Sequence, residues 1–172
     1  MMLRPDAVVA SVTEVTPDFL RERGVRAVLV DLDDTLLAAG SERLEPLFEG
    51  WLESLRDAGM PVVILSNGSH ARVAHWAERL GVVGLPLMGK PFGRAFRQGL
   101  HRLGTPACET AMVGDQLFTD VLGANRAGMV SVLVAPLSPG RLLHTRVLRH
   151  LERVFLRRYR LLHGEDAWPS SR

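Results

Sequence analysis

The chain has 172 residues, 47% of them hydrophobic and 23% charged, with a formal net charge of +2. That balance excludes a disordered or fibrous chain and fits a single domain with a core of its own. A single cysteine, Cys108, excludes an internal disulfide; it reads as an inert small hydrophobe and suits a reducing compartment.

No apolar run reaches the roughly 20 residues that a bilayer span needs. The first residues, 1–6, lack a signal-peptide layout. A cytoplasmic protein is expected. The small net charge hides an uneven spread. Residues 141–160 hold seven arginines and one acid, a net +6, which leaves −4 for the rest. Lysine occurs once, at Lys90, in a chain that otherwise uses arginine throughout.

Strand and helix signals alternate along the chain. Val28–Leu32 is apolar on both faces, as in the inner strand of a parallel sheet. Pro46–Ala58 carries Leu47, Phe48, Trp51, Leu52 and Leu55 at helical spacing and stops at Gly59. Pro61–Leu65 is a second buried strand, and Ser69–Leu80 a helix closed by Gly81. Leu85–Met88 reads as a short third strand, Gly93–Leu103 as a helix, and Thr110–Val113 as a fourth strand. Thr119–Arg126 reads as a helix and Val130–Val134 as a fifth strand. A final helix is expected from Arg141 to about Leu162, with 164–172 a frayed tail. The pattern predicts a doubly wound parallel α/β sheet in three layers, with one domain over residues 1–163.

Polar residues cluster just past four of these strands. The first runs into Asp31-Leu32-Asp33-Asp34-Thr35, the second into Ser66-Asn67-Gly68, the third into Gly89-Lys90-Pro91, and the fourth into Gly114-Asp115-Gln116. Open α/β sheets bind their ligands at that edge. Asp31 and Asp33 crowd negative charge, which is costly unless a cation or a proton compensates. The set holds a carboxylate nucleophile, a second carboxylate, a hydroxyl beside a glycine, one ammonium, and a further carboxylate for a hard cation such as Mg²⁺. That inventory suits phosphoryl transfer, which depends on charge neutralisation and alignment.

The order DLDDT, SNG, GKP, GDQLFTD resembles the four motifs of the haloacid dehalogenase-like phosphatases. The stretches GDQLFTDVLGANRAG and TPDFLRERGVRAVLVDLDDTL, with the basic tail, are similar to the YqeG-type branch of subclass IIIA, which also contains the mitochondrial phosphatidylglycerophosphate phosphatases. The resemblance spans roughly residues 1–160. It implies that Asp31 attacks the phosphate and becomes a phosphoaspartate, while Asp33 moves the proton. It places Mg²⁺ on the Asp31 carboxylate, the Asp33 backbone carbonyl and Asp115. Phosphate oxygens would meet Ser66 and the Asn67 backbone N–H, and Lys90 would offset the negative charge. Many relatives carry a second acid directly after, or four residues after, the first Asp of the last motif. Here the next acid is Asp120, five residues on, which puts it in a supporting role; Thr35 is given one too. Asp34 is expected to point away from the chemistry.

Asp31 to Ser66 spans 35 residues and Ser66 to Lys90 spans 24, neither with room for the cap domain that some relatives insert there. The resemblance therefore implies an open site that could admit a bulky phosphorylated substrate, phosphatidylglycerophosphate among the options. In the final helix, Leu143, Val147, Leu151, Val154, Phe155 and Tyr159 form an apolar stripe opposite an arginine face. That helix either packs on the domain or meets anionic membrane or nucleic acid, which would make the protein peripheral to the inner face of the membrane. Two other readings remain open. One is a receiver-like signalling domain. The other is an RNA- or protein-binding module acting through the basic helix.

Overall fold

A computed structural model describes residues 2–38 and 40–138. The expected helix from Arg141 and the tail lie outside them. Six strands form one all-parallel sheet: β1 (Ala7–Val9), β2 (Ala27–Val30), β3 (Val62–Leu65), β4 (Val83–Leu85), β5 (Thr110–Gly114) and β6 (Val130–Val134). Their spatial order is β1-β6-β5-β2-β3-β4. From β2 the chain winds one way to β3 and β4, then crosses to β5 and continues the other way. The switch point of the sheet therefore lies between β2 and β5, where a crevice opens at the carboxyl ends of the strands.

Helices α2 (Pro46–Asp57) and α3 (His70–Leu80) share an apolar cluster with Val28 and Val30 of β2. Helix α4 (Gly93–Leu103) shares another with Leu29, Val63 and Met112. Side chains alternate across a strand, so neighbouring residues of β2 feed opposite layers. All four residues of β2 are buried, as the uninterrupted apolar run requires. Trp51 and Trp76 are both in the first core, and the Trp51 indole N–H donates to the Val15 carbonyl at 2.8 Å. On the other face α4 packs closely on the sheet. A methyl group on Gly99 would lie 2.7 Å from Leu29 Cδ1.

The differences from the sequence reading are local. The third expected strand, Leu85–Met88, is Val83–Leu85, earlier by two to three residues. The expected helix over Thr119–Arg126 is a π-helical turn, Leu117–Val121, followed by α5 (Leu122–Ala127). Two elements gave no periodic signal. Strand β1 has three residues and helix α1 (Pro17–Arg21) has five, too short for a repeat to register. Their capping chemistry is nonetheless written in the sequence. Ser11 and Glu14 form a capping box on the 3₁₀ turn Val12–Glu14 that lies between β1 and α1, and Thr16 caps α1, accepting from the Phe19 N–H just ahead of Pro17. Cys108 is exposed rather than packed as a small hydrophobe, because it falls in a short 3₁₀ turn before β5.

Between β2 and β3, and between β3 and β4, the described residues form one helix each and no inserted domain. Phe96 is fully buried in the second core and occupies the space that the missing side chain of Gly123 leaves open. Phe96→Ala should therefore lower unfolding stability by about 3–5 kcal/mol, read as a shifted denaturant midpoint at unchanged slope.

Candidate active site

The registry of the sheet brings the motifs abreast. Val30 of β2 sits level with Val113 on one side and Ile64 on the other. Asp31 thus emerges beside Gly114-Asp115 and close to Ser66, and its N–H donates to the Val113 carbonyl at 2.9 Å.

Lys90 lies at the centre. Its ammonium is 2.8 Å from Asp31 Oδ1 and 2.7 Å from Asp120 Oδ1, and all three residues are at most 5% exposed. Burial pushes the lysine down, but Asp120 and Asp31 together outweigh it and hold the ammonium above the usual lysine range. Burial pushes the Asp120 carboxyl up, against the pull of Lys90. The loop that presents this lysine is clamped by Asn67. The Lys90 N–H donates to Asn67 Oδ1 at 2.8 Å, and Asn67 Nδ2 donates back to the Lys90 carbonyl at 3.2 Å. The Asn67 side chain is thus committed to Lys90, which leaves its backbone as the part that can meet a phosphate.

Carboxylate oxygens of Asp31, Asp115 and Asp120 all lie within 4.8 Å of one another, each residue buried. Three carboxylates against one ammonium leave an excess of negative charge in a space with little water, and all the donors are oxygens. That donor set fits a hard divalent cation. The sequence reading named Asp31, Asp33 and Asp115 for the metal and gave Asp120 a supporting role. The geometry brings the Asp120 carboxylate close to those of Asp31 and Asp115, while the Asp33 carboxylate, whose backbone carbonyl alone was named for the metal, is turned to Arg72. The physical reason is the π turn. Its wider loop absorbs the fifth residue of the Asp115-to-Asp120 spacing, and Asp120 Oδ2 closes on the Gln116 N–H at 3.1 Å. Thr35, fully buried, donates to Asp115 Oδ1 at 3.4 Å, a long bond that steadies the carboxylate.

On the other side of the crevice Ser66 Oγ accepts from the Gly68 N–H at 2.9 Å. Asp33 Oδ1 is held by Arg72, whose Nε donates to it at 2.8 Å. Burial raises the Asp33 carboxyl above its ordinary value, and Arg72 opposes that rise. Arg72 escaped the sequence reading, which had only its place four residues after Asn-Gly to mark it. Asp34 adopts φ +64 and is 3% exposed. Its carboxylate accepts from the Ser138 hydroxyl, and its carbonyl from the Leu137 N–H at 3.0 Å. It points away from the chemistry, as expected, and braces the loop against the segment after β6.

Fold and site together define a phosphoryl-transfer α/β hydrolase, and comparison with known proteins agrees. The model for haloacid dehalogenase-like hydrolases matches residues 8–128, and the chain belongs to that family. It is a phosphatase of the YqeG type, 35% identical to the probable phosphatase YqeG of Bacillus subtilis (strain 168) over 88% of each chain. It is also 28% identical over 90% of its length to phosphatidylglycerophosphate phosphatase 1, chloroplastic/mitochondrial, of Arabidopsis thaliana, of which it spans 47%. Among solved structures, an uncharacterized protein from Listeria monocytogenes serotype 4b matches with TM-score 0.56 at 22% identity, covering 69% of this chain and 85% of that one. The 3-deoxy-D-manno-octulosonate 8-phosphate phosphatase of Moraxella catarrhalis, in complex with magnesium ion, phosphate ion and KDO, matches with TM-score 0.52 at 20% identity, over 76% of this chain and 78% of that one. Both structural matches speak to the fold. The family match sets aside the receiver-like reading. Phosphatases of this family use a divalent metal, which the acidic cluster is suited to hold.

Gly114 is where the site tolerates least. A methyl group there would collide with the Asp120 carboxylate, which Gln116 and Lys90 already fix in place. Gly114→Ala should lower kcat/KM for an aryl phosphate by about 10²-fold, the scale of a misplacement of about 1 Å. A thermal melt run alongside should show that the fold persists.

Proposed function

We propose that this phosphatase hydrolyses phosphomonoesters by way of a phosphoaspartate on Asp31, and that its substrate is a phosphatidylglycerophosphate-like lipid. The observation that carries the mechanism is the buried contact of Asp31 with Lys90 inside the Asp115–Asp120 cluster. A carboxylate attacks a phosphate dianion only where positive charge offsets the approach. An Asp31 oxygen bonds to phosphorus as the ester P–O bond breaks, and Asp33 gives its proton to the departing alkoxide. Water then attacks the phosphoaspartate, Asp33 takes the proton back, and inorganic phosphate leaves with Asp31 restored. Lys90 neutralises charge on Asp31 and the transferring group. Ser66 and the Asn67 backbone N–H hold the phosphate oxygens. Mg²⁺, held by Asp31, Asp115 and Asp120 with the Asp33 carbonyl, would supply further charge neutralisation when bound.

The lipid assignment draws on three things. Two relatives are named as phosphatidylglycerophosphate phosphatases, that of Arabidopsis thaliana and one of Chlamydomonas reinhardtii, and this chain spans 47% and 48% of them. The crevice carries no cap among the described residues. Leu87 and Phe92, on either side of Lys90, are 60% and 72% exposed and would line the mouth with apolar surface. No helix of the described residues is long and apolar enough to cross a membrane. The sequence adds the net positive charge of residues 141–160, which suits anionic headgroups.

Phosphate release should be measured with phosphatidylglycerophosphate in mixed micelles, an aryl phosphate, nucleotides and sugar phosphates. The expected result is preferential release from the lipid, abolished by a chelator and restored by Mg²⁺. Asp31→Asn should reduce every activity to background. Release from nucleotides or sugars with none from the lipid would overturn the substrate assignment. An Asp31→Asn variant as active as the parent would overturn the nucleophile.

A further inference from the structure

Asp33 is unlike its neighbours in the site: its carboxylate lies outside the Lys90 cluster and is gripped by a residue that none of the four motifs contains. Arg72 stands in the first turn of α3, two residues past the start of the helix, with its side chain only 19% exposed. Its Nε and Nη2 both lie 2.8 Å from one oxygen, Asp33 Oδ1. Nη1 and Nη2 each donate to the Ser41 carbonyl at 3.2 Å, and Nη1 is 3.7 Å from Glu42. One planar group thus uses two edges, one on the carboxylate and one on the segment that leads from β2 to α2. An ammonium has no second edge and could not hold both.

The grip sorts the two oxygens of Asp33. Oδ1 is taken by Arg72. A methyl group placed on Gly68 would sit 3.4 Å from Asp33 Oδ2 and 3.1 Å from Ser66 Oγ, so Oδ2 and the Ser66 hydroxyl flank one point beside Gly68. A carboxyl that must hand a proton to a departing oxygen needs one particular oxygen aimed there. Unrestrained, a half-exposed Asp side chain would sample other rotamers and present either oxygen.

We infer that Arg72 is the positioning residue of the proton-transfer step: by fixing Oδ1 it keeps Oδ2 of Asp33 aimed at the ester oxygen, and by gripping Ser41 it holds the β2–α2 segment over that carboxyl. The inference rests on the role given to Asp33 above. In the step it serves, the proton on Asp33 Oδ2 passes to the ester oxygen as the P–O bond breaks and the new P–O bond to Asp31 forms.

The test is leaving-group dependence. An aryl phosphate releases a stabilised phenolate and needs little protonation; an alkyl phosphate releases an alkoxide and needs it fully. With both substrates, kcat/KM would be measured for the parent, Asp33→Asn, Arg72→Gln, Arg72→Lys and the Asp33→Asn/Arg72→Gln double variant. Arg72→Gln should lose about 10–100-fold on the alkyl ester, within the range open to general acid catalysis, and several-fold less on the aryl ester. Arg72→Lys, which keeps the cation but not the two-edged grip, should show the same skew and supplies the reading should the glutamine variant not fold. In the Asp33→Asn background Arg72→Gln should add no further skew, since the two residues act as one unit. Equal losses on both esters, or a skew that persists without Asp33, would reduce Arg72 to a structural strut and overturn the inference. If Asp33→Asn itself shows no skew, the proton-transfer role of Asp33 fails and the inference falls with it. A skew in Asp33→Asn but not in either Arg72 variant sinks the inference alone.

Discussion

One ammonium between two buried carboxylates is the constraint around which the rest is arranged. Lys90, Asp31 and Asp120 come from the ends of three different segments, and none could be buried alone without a cost of several kcal/mol. Each is tolerable only where the others are. The close contact therefore ties the ends of β2, the π turn after β5 and the loop after β4 into one unit. The sheet order serves this requirement. The switch between β2 and β5 leaves the crevice into which all three side chains project.

Charge in this pocket is also what gives the acids different tasks. Asp31 and Asp120 share the lysine, while Asp115 adds a third carboxylate steadied by Thr35. Asp33, two residues from Asp31, is paired with Arg72 instead of Lys90. The chain turns just past Asp33, and the Arg72 guanidinium holds that carboxylate apart from the cluster. The excess of negative charge lies on the side where a cation fits, and the Asp33 carboxyl still feels Asp31, whose charge adds to the upward push of burial.

Much of this was legible from residue order. β2, β3, β5 and β6 announced themselves through apolar runs, and each candidate residue that falls at a strand end could be placed by counting. Asp31, Ser66, Lys90 and Asp115 were named this way, and the structure brings Asp31, Lys90 and Asp115 together. Asp120 was given a supporting role from its spacing, and its contact with Lys90 depends on the π turn after β5, which has no sequence signature. Arg72 was missed because it is one of twenty arginines, and its target lies 39 residues away in the chain. Only tertiary packing distinguishes it from an exposed arginine on the same helix. The three-residue β1 was missed for the opposite reason: it is defined by pairing with β6, far away in sequence, and not by any pattern of its own.

Asp34 carries a consequence for where the working unit ends. The sheet is complete at Val134, yet the loop bearing Asp31 and Asp33 is pinned on two sides: Asp31 to β5, and Asp34 to Leu137 and Ser138. A buried acid in the left-handed region, held by the chain beyond the last strand, makes that short exit segment part of the frame of the site. A chain cut just after β6 would keep every strand and still lose one wall of the loop that carries Asp31. The smallest piece that can hold the chemistry therefore reaches Ser138, four residues past the last hydrogen-bonded strand.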